Sequence, residues 1–565
     1  MGHLPYGRLP VVCFRRPLMR LMILCFVPVG CSSSDETEPS TNIDVALING
    51  MACRANAPAV GVFTESAAAL GIDFIYEPML PPEEDNPRLQ DFSGVGIGDL
   101  DGDQQLDLYF AGGGAPDRVF LTATNGPAKY TASTRGGGED DRARVVTLAD
   151  IDGDGDLDAL LAADSPYQAL NDGTGHFGNP TFFERELGTP DVFYNVYGFA
   201  AGDTDGDQRL DVLVAVHEQL SGETLLPGAE WLHRGSATGL VDVPNAFPEQ
   251  GFEDKTFLAI LADFDDDGDL DVYEVNDAWS PAELGAGGST EQIGNRLLQN
   301  TDGNFAEVTN STSGIKVSAM GAAVGDYDND GLLDLYVTAM LPNTNTLLRN
   351  TGGMSFENKT FSADADTLYD EHDVGWGAEF FDANSDGWLD LYVLHGWHTT
   401  DDFQHGVPAN ADHQRNLLLL NDKGTFSHDA SATSGLEGDD WSRSPATGDL
   451  NRDGFVDVVV GNANGKPYVY LNGCDARPWL TVRLKQPGPN AHAVGARIRV
   501  TGGGLTQTRF ITAGGSGLFG SSAPEAYFGF PIATETVSVS VRWPATNEIT
   551  ESTIPVRKLA TISHR

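Results

Sequence analysis

Seven acidic nonapeptides constrain what this chain can fold into more than any other feature. They start at Asp99, Asp150, Asp203, Asp263, Asp326, Asp382 and Asp449, spaced 51 to 67 residues apart. Each reads Asp-x-(Asp/Asn)-x-Asp-x-x-(Leu/Val)-Asp, so positions 1, 5 and 9 never vary. Self-similarity at such a period marks a repeat architecture whose units cannot bury their apolar faces alone.

The side-chain chemistry points to a hard cation. Ca2+ takes six to eight oxygens at about 2.3–2.6 Å. Alternate residues of a curled loop can turn inward at positions 1, 3 and 5. Position 7 can add a carbonyl, and the position 9 Asp can close the shell. The candidate ligands are Asp99, Asp101, Asp103 and Asp107; Asp150, Asp152, Asp154 and Asp158; Asp203, Asp205, Asp207 and Asp211; and Asp263, Asp265, Asp267 and Asp271. The last three sets are Asp326, Asp328, Asp330 and Asp334; Asp382, Asn384, Asp386 and Asp390; and Asp449, Asn451, Asp453 and Asp457. Up to seven Ca2+ sites are expected, with the two Asn-containing loops weaker. So many carboxylates would repel one another without a cation. Gly at position 4 or 6 of every copy permits the tight curl. No His or Cys joins the pattern, which argues against zinc and copper.

The loop opens like an EF-hand and ends differently. An EF-hand needs Glu at position 12 and flanking helices, whereas only Glu274 supplies one here. The residues that follow (LDLYF, LDVLVAV, WLDLYVLH) are β-branched and aromatic, as strands are. The loop therefore sits in a β-hairpin, with the apolar position 8 residue anchoring it. Each repeat adds a third strand, several ending in Asn-x-Gly, and then an aromatic strand. Four short antiparallel strands per unit, in series, bury their edges best as blades around an axis. The expected fold is all-β, a seven-bladed β-propeller over residues 58–475. Beyond Cys474, alternating apolar and polar residues between Gly- and Asn-rich turns predict a separate small β-sandwich over 476–565.

The net charge of −48 argues strongly against nucleic acid as a natural partner, because phosphates would be repelled. At the N-terminus, Arg15, Arg16 and Arg20 precede the short apolar run Leu21–Val29 and then Gly30-Cys31. Such a run is too short to span a bilayer and reads as an export signal over residues 1–31. Val29-Gly30-Cys31 resembles a lipobox, so lipidation of Cys31 is expected, as a membrane anchor and nothing more. Pro28 stands where a lipobox has Leu, which keeps ordinary cleavage as the alternative, and Met19 is an alternative start. Residues 32–57 read as a polar tether. With Cys31 lipidated, Cys53 and Cys474 remain as a disulfide pair flanking the repeats, in keeping with an oxidising compartment. The expected location is the outer membrane or cell surface of a bacterium, otherwise the medium, as a monomer.

Two sets of residues carry a family resemblance. The acidic loops with small residues before them (GIGD, AAGD, AVGD, ATGD) resemble FG-GAP or VCBS repeats, which build the calcium-binding propeller of integrin α subunits. The tail is similar to the ASPIC/UnbV domain at WLTVRL from Trp479, VGARIRV from Val494, Gly514-Gly515-Ser516, YFGF from Tyr527 and VSVRWP from Val539. It departs from that pattern at Asn490-Ala491, where the family has Asn-Arg followed by Gly. Together these segments resemble the cartilage acidic protein family. That resemblance implies calcium-binding, extracytoplasmic recognition or adhesion.

The expected function is therefore a recognition module for a surface protein or glycan, not an enzyme. Metal loops join first and second strands, so the variable connections should emerge on the opposite face. Those include His217, Asn276-Asp277, His395-Gly396-Trp397-His398 and Asn462. Loops held by a rigid scaffold commonly carry binding. The alternatives are a propeller hydrolase or lyase acting on polysaccharide, or a purely structural surface protein. No GxSxG, HExxH or CxxC supports catalysis. A pocket joining His372, His395 and His398 would revive the enzyme reading; the plainer expectation packs Trp376 between blades.

Overall fold

The computed structural model describes residues 43–54, 56–77, 92–123, 129–133, 142–163, 165–183, 192–221, 224–228, 230–248, 255–277, 294–340, 343–367, 374–396, 414–427, 430–463, 465–544 and 546–565. The proposed signal and Cys31 lie outside these residues. Among them the structure is β throughout, apart from two four-residue helices, Ala67–Leu70 and Ser431–Ser434.

Seven antiparallel sheets follow one another along the chain. Their inner strands are Gly94–Gly98, Val145–Ala149, Val192–Gly202, Thr256–Ala262, Ala319–Gly325, Gly375–Phe381 and Ser442–Gly448. Every second strand begins at a position 9 Asp, from Asp107 in blade 1 to Asp457 in blade 7. The inner strands pack on one another in chain order, and that of blade 7 packs on that of blade 1. The ring is therefore closed. Blade 7 takes its outermost strand from the N-terminal side: Thr64–Glu65 pairs with Tyr468–Leu471. Close by, Cys53 and Cys474 are disulfide-bonded, with Cα atoms 5.5 Å apart.

The small residues before six of the seven loops (Phe381 precedes the other) have a packing reason. A Cβ on Gly98 would lie 2.6 Å from the Leu157 side chain, and one on Gly448 would lie 2.8 Å from Leu106. Position 8 of one nonapeptide thus fills the space left by the glycine of the preceding blade. The two sequence signals are one joint.

The tail forms two four-stranded sheets that share an apolar core including Val482, Ile498, Val500, Val539, Val541 and Ile562. Two expectations fail here. The segment read as tether is in part a strand: Ile43–Asn49 pairs along its whole length with Lys558–His564. Its alternating apolar residues supply a neighbour that the C-terminal strand otherwise lacks. Nor is the tail separate. Residues 39–565 form one compact unit, because the tail loop around Ala513–Ala523 enters the ring.

That loop bonds to the inner strands of six blades. Gly514 pairs with Ala200. Ser521 exchanges bonds with Val95 and Ile97, the Gly517 amide donates to Ala322, and that of Ala523 to Thr447. The Val146 amide donates to the Phe519 carbonyl. The sixth contact is to Glu379 of blade 6, whose carboxylate accepts from Ser516 (3.2 Å) and Ser522 (3.3 Å). Space dictates glycine at Gly514, where a Cβ would meet the Phe199 carbonyl oxygen at 2.3 Å.

Burial raises the Glu379 carboxyl to about 7, against the lowering effect of these hydroxyls. An unfolded Glu titrates near ~4.3, so the fold holds the proton more tightly. Its contribution is full below the unfolded pKa and is lost as pH rises through 7. Glu379→Gln is expected to raise stability at pH 8 by about 3 kcal/mol and to flatten its pH dependence between 5 and 8. Denaturant titrations at both pH values read this; an unchanged slope would contradict it.

Candidate metal centres

The nonapeptides curl as their residues dictate. Positions 4 and 6 have positive φ in every copy, for example Gly153 (79°) and Gly155 (100°) in blade 2. Non-glycine residues take position 4 in blades 4 to 7, among them Arg452 (56°), and Gln104 and Gln208 take position 6 in blades 1 and 3. The position 1 carboxylate then accepts the position 6 amide, as at Asp326 from Gly331 (3.0 Å) and Asp449 from Gly454 (2.9 Å). Position 5 accepts from the position 7 amide, as at Asp207 from Arg209 (2.8 Å).

Position 9 does more than close a shell. All seven of these aspartates are fully buried. In each, Oδ2 accepts the position 2 amide and Oδ1 accepts an amide at the end of the third strand. In blade 5 these are Tyr327 (3.2 Å) and Asn350 (2.7 Å), both onto Asp334. In blade 7 they are Leu450 (2.9 Å) and Asn472 (2.7 Å), both onto Asp457. The Asn-x-Gly that ends several third strands falls at this point. Asn171, Asn300, Asn350, Asn421 and Asn472 each send their side-chain amide to two carbonyls. One belongs to position 8 of their own loop, the other to position 2 of the preceding blade's loop. They clip neighbouring loops together. Asn350→Ala orphans the Phe264 and Leu333 carbonyls and should cost about 1–3 kcal/mol, read by denaturant unfolding. A change below 0.5 kcal/mol would count against the clip (an ordinary surface substitution falls within about that range).

Among the described residues, five carboxylate clusters could hold an ion: Asp99, Asp101 and Asp107; Asp150, Asp152 and Asp158; Asp203, Asp205 and Asp207; Asp263, Asp265 and Asp271; and Asp326, Asp328 and Asp334. The oxygens of each set lie within 4.8 Å of one another. The loops of blades 6 and 7 have the same backbone bonds around Asp382, Asn384, Asp386 and Asp390 and around Asp449, Asn451, Asp453 and Asp457. The donors fit a hard cation. Buried oxygens of Asp99, Asp103, Asp205, Asp265, Asp326, Asn384 and Asp453 have no hydrogen-bond donor. Such atoms are costly unless something positive meets them. Burial first, then neighbouring carboxylates, raises Asp107 and Asp158 to about 7 and Asp271 to about 8. Backbone amides oppose the rise.

The tail domain contributes arginines to this face. Arg542 pairs with Asp263 and lies 2.8 Å from Asp266. Arg497 also reaches Asp266, and Arg483 is 3.6 Å from Asp99. Arg509, half-buried, lies in the field of Asp326 and Asp382. At the seam of blades 7 and 1, Glu525 takes both Arg452 (2.7 Å) and Arg483 (2.6 Å). Arg452 continues to the Gln104 carbonyl (2.7 Å) in the loop of blade 1. Asn490, at the departure from the tail pattern, is buried and brackets its turn through both Val494 backbone groups.

At the other end of the blades, the predicted loop residues turn out to be buried. His217 is 3.8 Å from Asp277 and packs at a tilt against the rings of Tyr197 and Phe257. His395, Asn276 and Asn462 are buried at the ends of second strands. Trp376 packs between blades 6 and 7: its indole donates to Gly396 (2.9 Å) and Arg443 lies 3.9 Å above the ring. His372, Trp397 and His398 lie outside the described residues, so the histidine pocket has no geometry to report.

Comparison with known proteins follows this division. FG-GAP-like repeats match residues 99–161 and 263–337, and an FG-GAP repeat matches 442–473. ASPIC and UnbV matches 486–565. No curated protein matches the chain. Among solved structures, the N-terminal part of BBS1, crystallised with ARL6, is 9% identical, covering 70% of this chain and 98% of its own at a TM-score of 0.40. A family PL25 ulvan lyase is 12% identical over 68% and 95%, at 0.37. The fucose-specific lectin of Aleuria aurantia is 12% identical over 68% and 96%, at 0.32. None of these likenesses bears on what this chain binds. The chain is an FG-GAP repeat propeller that ends in an ASPIC and UnbV domain.

Proposed function

We propose that this is an exported calcium-binding recognition or adhesion protein, not an enzyme. The supporting observation is the division of the ring. Seven aspartate loops, six of them with oxygens that have no donor among the described residues, crowd one end and meet the tail domain's arginines. The loops act as ion-held clips, and Ca2+ suits an all-oxygen donor set of this charge better than a soft or borderline metal. A partner, taken to be a surface protein or a glycan, then meets surfaces away from the capped end. The short apolar run before Cys31 supports lipid anchoring or secretion, and the charge of −48 supports a partner other than nucleic acid.

A glycan and surface-protein binding screen, run with Ca2+ and with chelator, tests the reading. Calcium-dependent capture of one ligand class is the expected result. Capture of nothing in either condition, or turnover of a polysaccharide in place of capture, would overturn it.

A further inference from the structure

The seam between blades 2 and 3 departs from the clip that joins most neighbouring blades. Where five blades place asparagine, blade 3 has Gly235. Its amide still donates to Asp211 (2.9 Å), but it has no side chain to reach the loop of blade 2. The seam of blades 7 and 1, where Thr122 stands, is held instead by Arg452 and the Gln104 carbonyl.

At the rim of this unclipped seam lies a cavity of 460 Å3, between the outer strands Thr181–Phe182 and Val241–Asp242. Phe182 stands at its mouth, 58% exposed, with Tyr167 behind it at 5.5 Å. Phe183 packs against His233 at 5.0 Å. The polar lining comes from Gln168, Thr181, His233, Thr238 and Asp242. The Gln168 Oε1 is buried, with no donor among the described residues.

We propose that this cavity binds a neutral saccharide. The volume falls within the range of small-ligand sites, about 300–1,000 Å3. Phenyl faces offer an apolar platform for the C–H face of a sugar ring. An amide, a carboxylate and a hydroxyl around it can take the alternating donors and acceptors of ring hydroxyls. Among the described residues no Lys or Arg lines the cavity, so a uronate, sulfate or phosphate would find no counter-charge from them. A wholly apolar ligand would leave the Gln168 oxygen unsatisfied. The site shares the recognition reading above but sits on the rim, not at the end of the blades.

The test is saturation-transfer NMR on the full calcium-loaded chain. The probes are methyl glycosides of neutral hexoses, deoxyhexoses and pentoses at millimolar concentration, with methyl glucuronide as the anionic arm. At least one neutral glycoside should show transfer, and both Phe182→Ala and Gln168→Leu should weaken it at least tenfold. Phe182 is exposed, so its truncation opens no core, and an unchanged melting temperature confirms that. Absence of transfer from every neutral glycoside, transfer that survives both variants, or preference for the glucuronide would each overturn the site. Neutral-glycan binding insensitive to both variants would still leave the broader recognition reading standing.

Discussion

Removing divalent cations is expected to cost this protein on the order of 10 kcal/mol of unfolding free energy. A single site filled at 100 times its Kd contributes about 2.7 kcal/mol, and five clusters have the converging carboxylates for one. The structural cause is the seven buried position 9 aspartates, each bound to backbone at both ends of its loop. Without a cation, each loop must either take up protons, as the raised carboxyls of Asp107, Asp158 and Asp271 indicate, or hold several negative charges in a small volume. Either route weakens the joints between strands and, through the asparagine clips, between blades. In EDTA the melting temperature should fall by roughly 10 °C or more, and excess Ca2+ should restore it. The same melting temperature with and without chelator would contradict the ion-clip account.

Glu525→Ala should be the most damaging single substitution at the junction of tail and ring. Burial alone would raise this carboxyl, but Arg452 and Arg483 outweigh that and bring it down to about 2. Both arginines are nearly buried, so removing Glu525 leaves two guanidinium groups without their main counter-charge. Breaking a buried pair in this way costs about 3–5 kcal/mol. Glu525→Gln keeps the shape and should cost nearly as much, which separates charge from packing. Because the folded carboxyl is depressed, its stabilisation is present above the unfolded value near ~4.3 and is lost as pH falls toward 2. Urea titrations of both variants at pH 7 read the effect. Losses below 1 kcal/mol would show that the node is not what holds the seam of blades 7 and 1.

The loops, the blades and their number were legible because each rests on local chemistry repeated seven times. The Asp spacing dictates the curl, Leu or Val at position 8 the anchor, and the β-branched run after position 9 the strand. The glycine before a loop was visible too, though its partner, the position 8 leucine of the next blade, lies far off in the chain: Leu157 for Gly98 and Leu106 for Gly448. What escaped were contacts between distant segments. Nothing local to Ile43–Asn49 says that it completes a sheet with the last strand of the chain. The entry of the tail loop into the ring is equally non-local, although TAGGSGLFGSS is as small and glycine-rich as a strand threaded among backbones must be.

One signal was available and went unused. The last ninety residues carry ten Lys and Arg against four Asp and Glu, in a chain of net charge −48. Such a reversal of sign marks a surface that meets the acidic loops. Arg483, Arg497, Arg509 and Arg542 do so. The side chains thought to project from the opposite end proved the reverse case. His217, Asn276 and Asn462 lie in second strands: Asn276 and Asn462 bond inside their own blades, and His217 packs against Phe257 and Asp277 of the next blade.

The most direct test of the central claim is native mass spectrometry of the chain after dialysis against Ca2+ and then against metal-free buffer. The loops predict retention of five to seven calcium ions per chain. Asp334→Asn and Asp158→Asn should each remove one. Retention of none, or of zinc or copper in preference to calcium, would show that the seven nonapeptides are acidic turns and not ion-held clips.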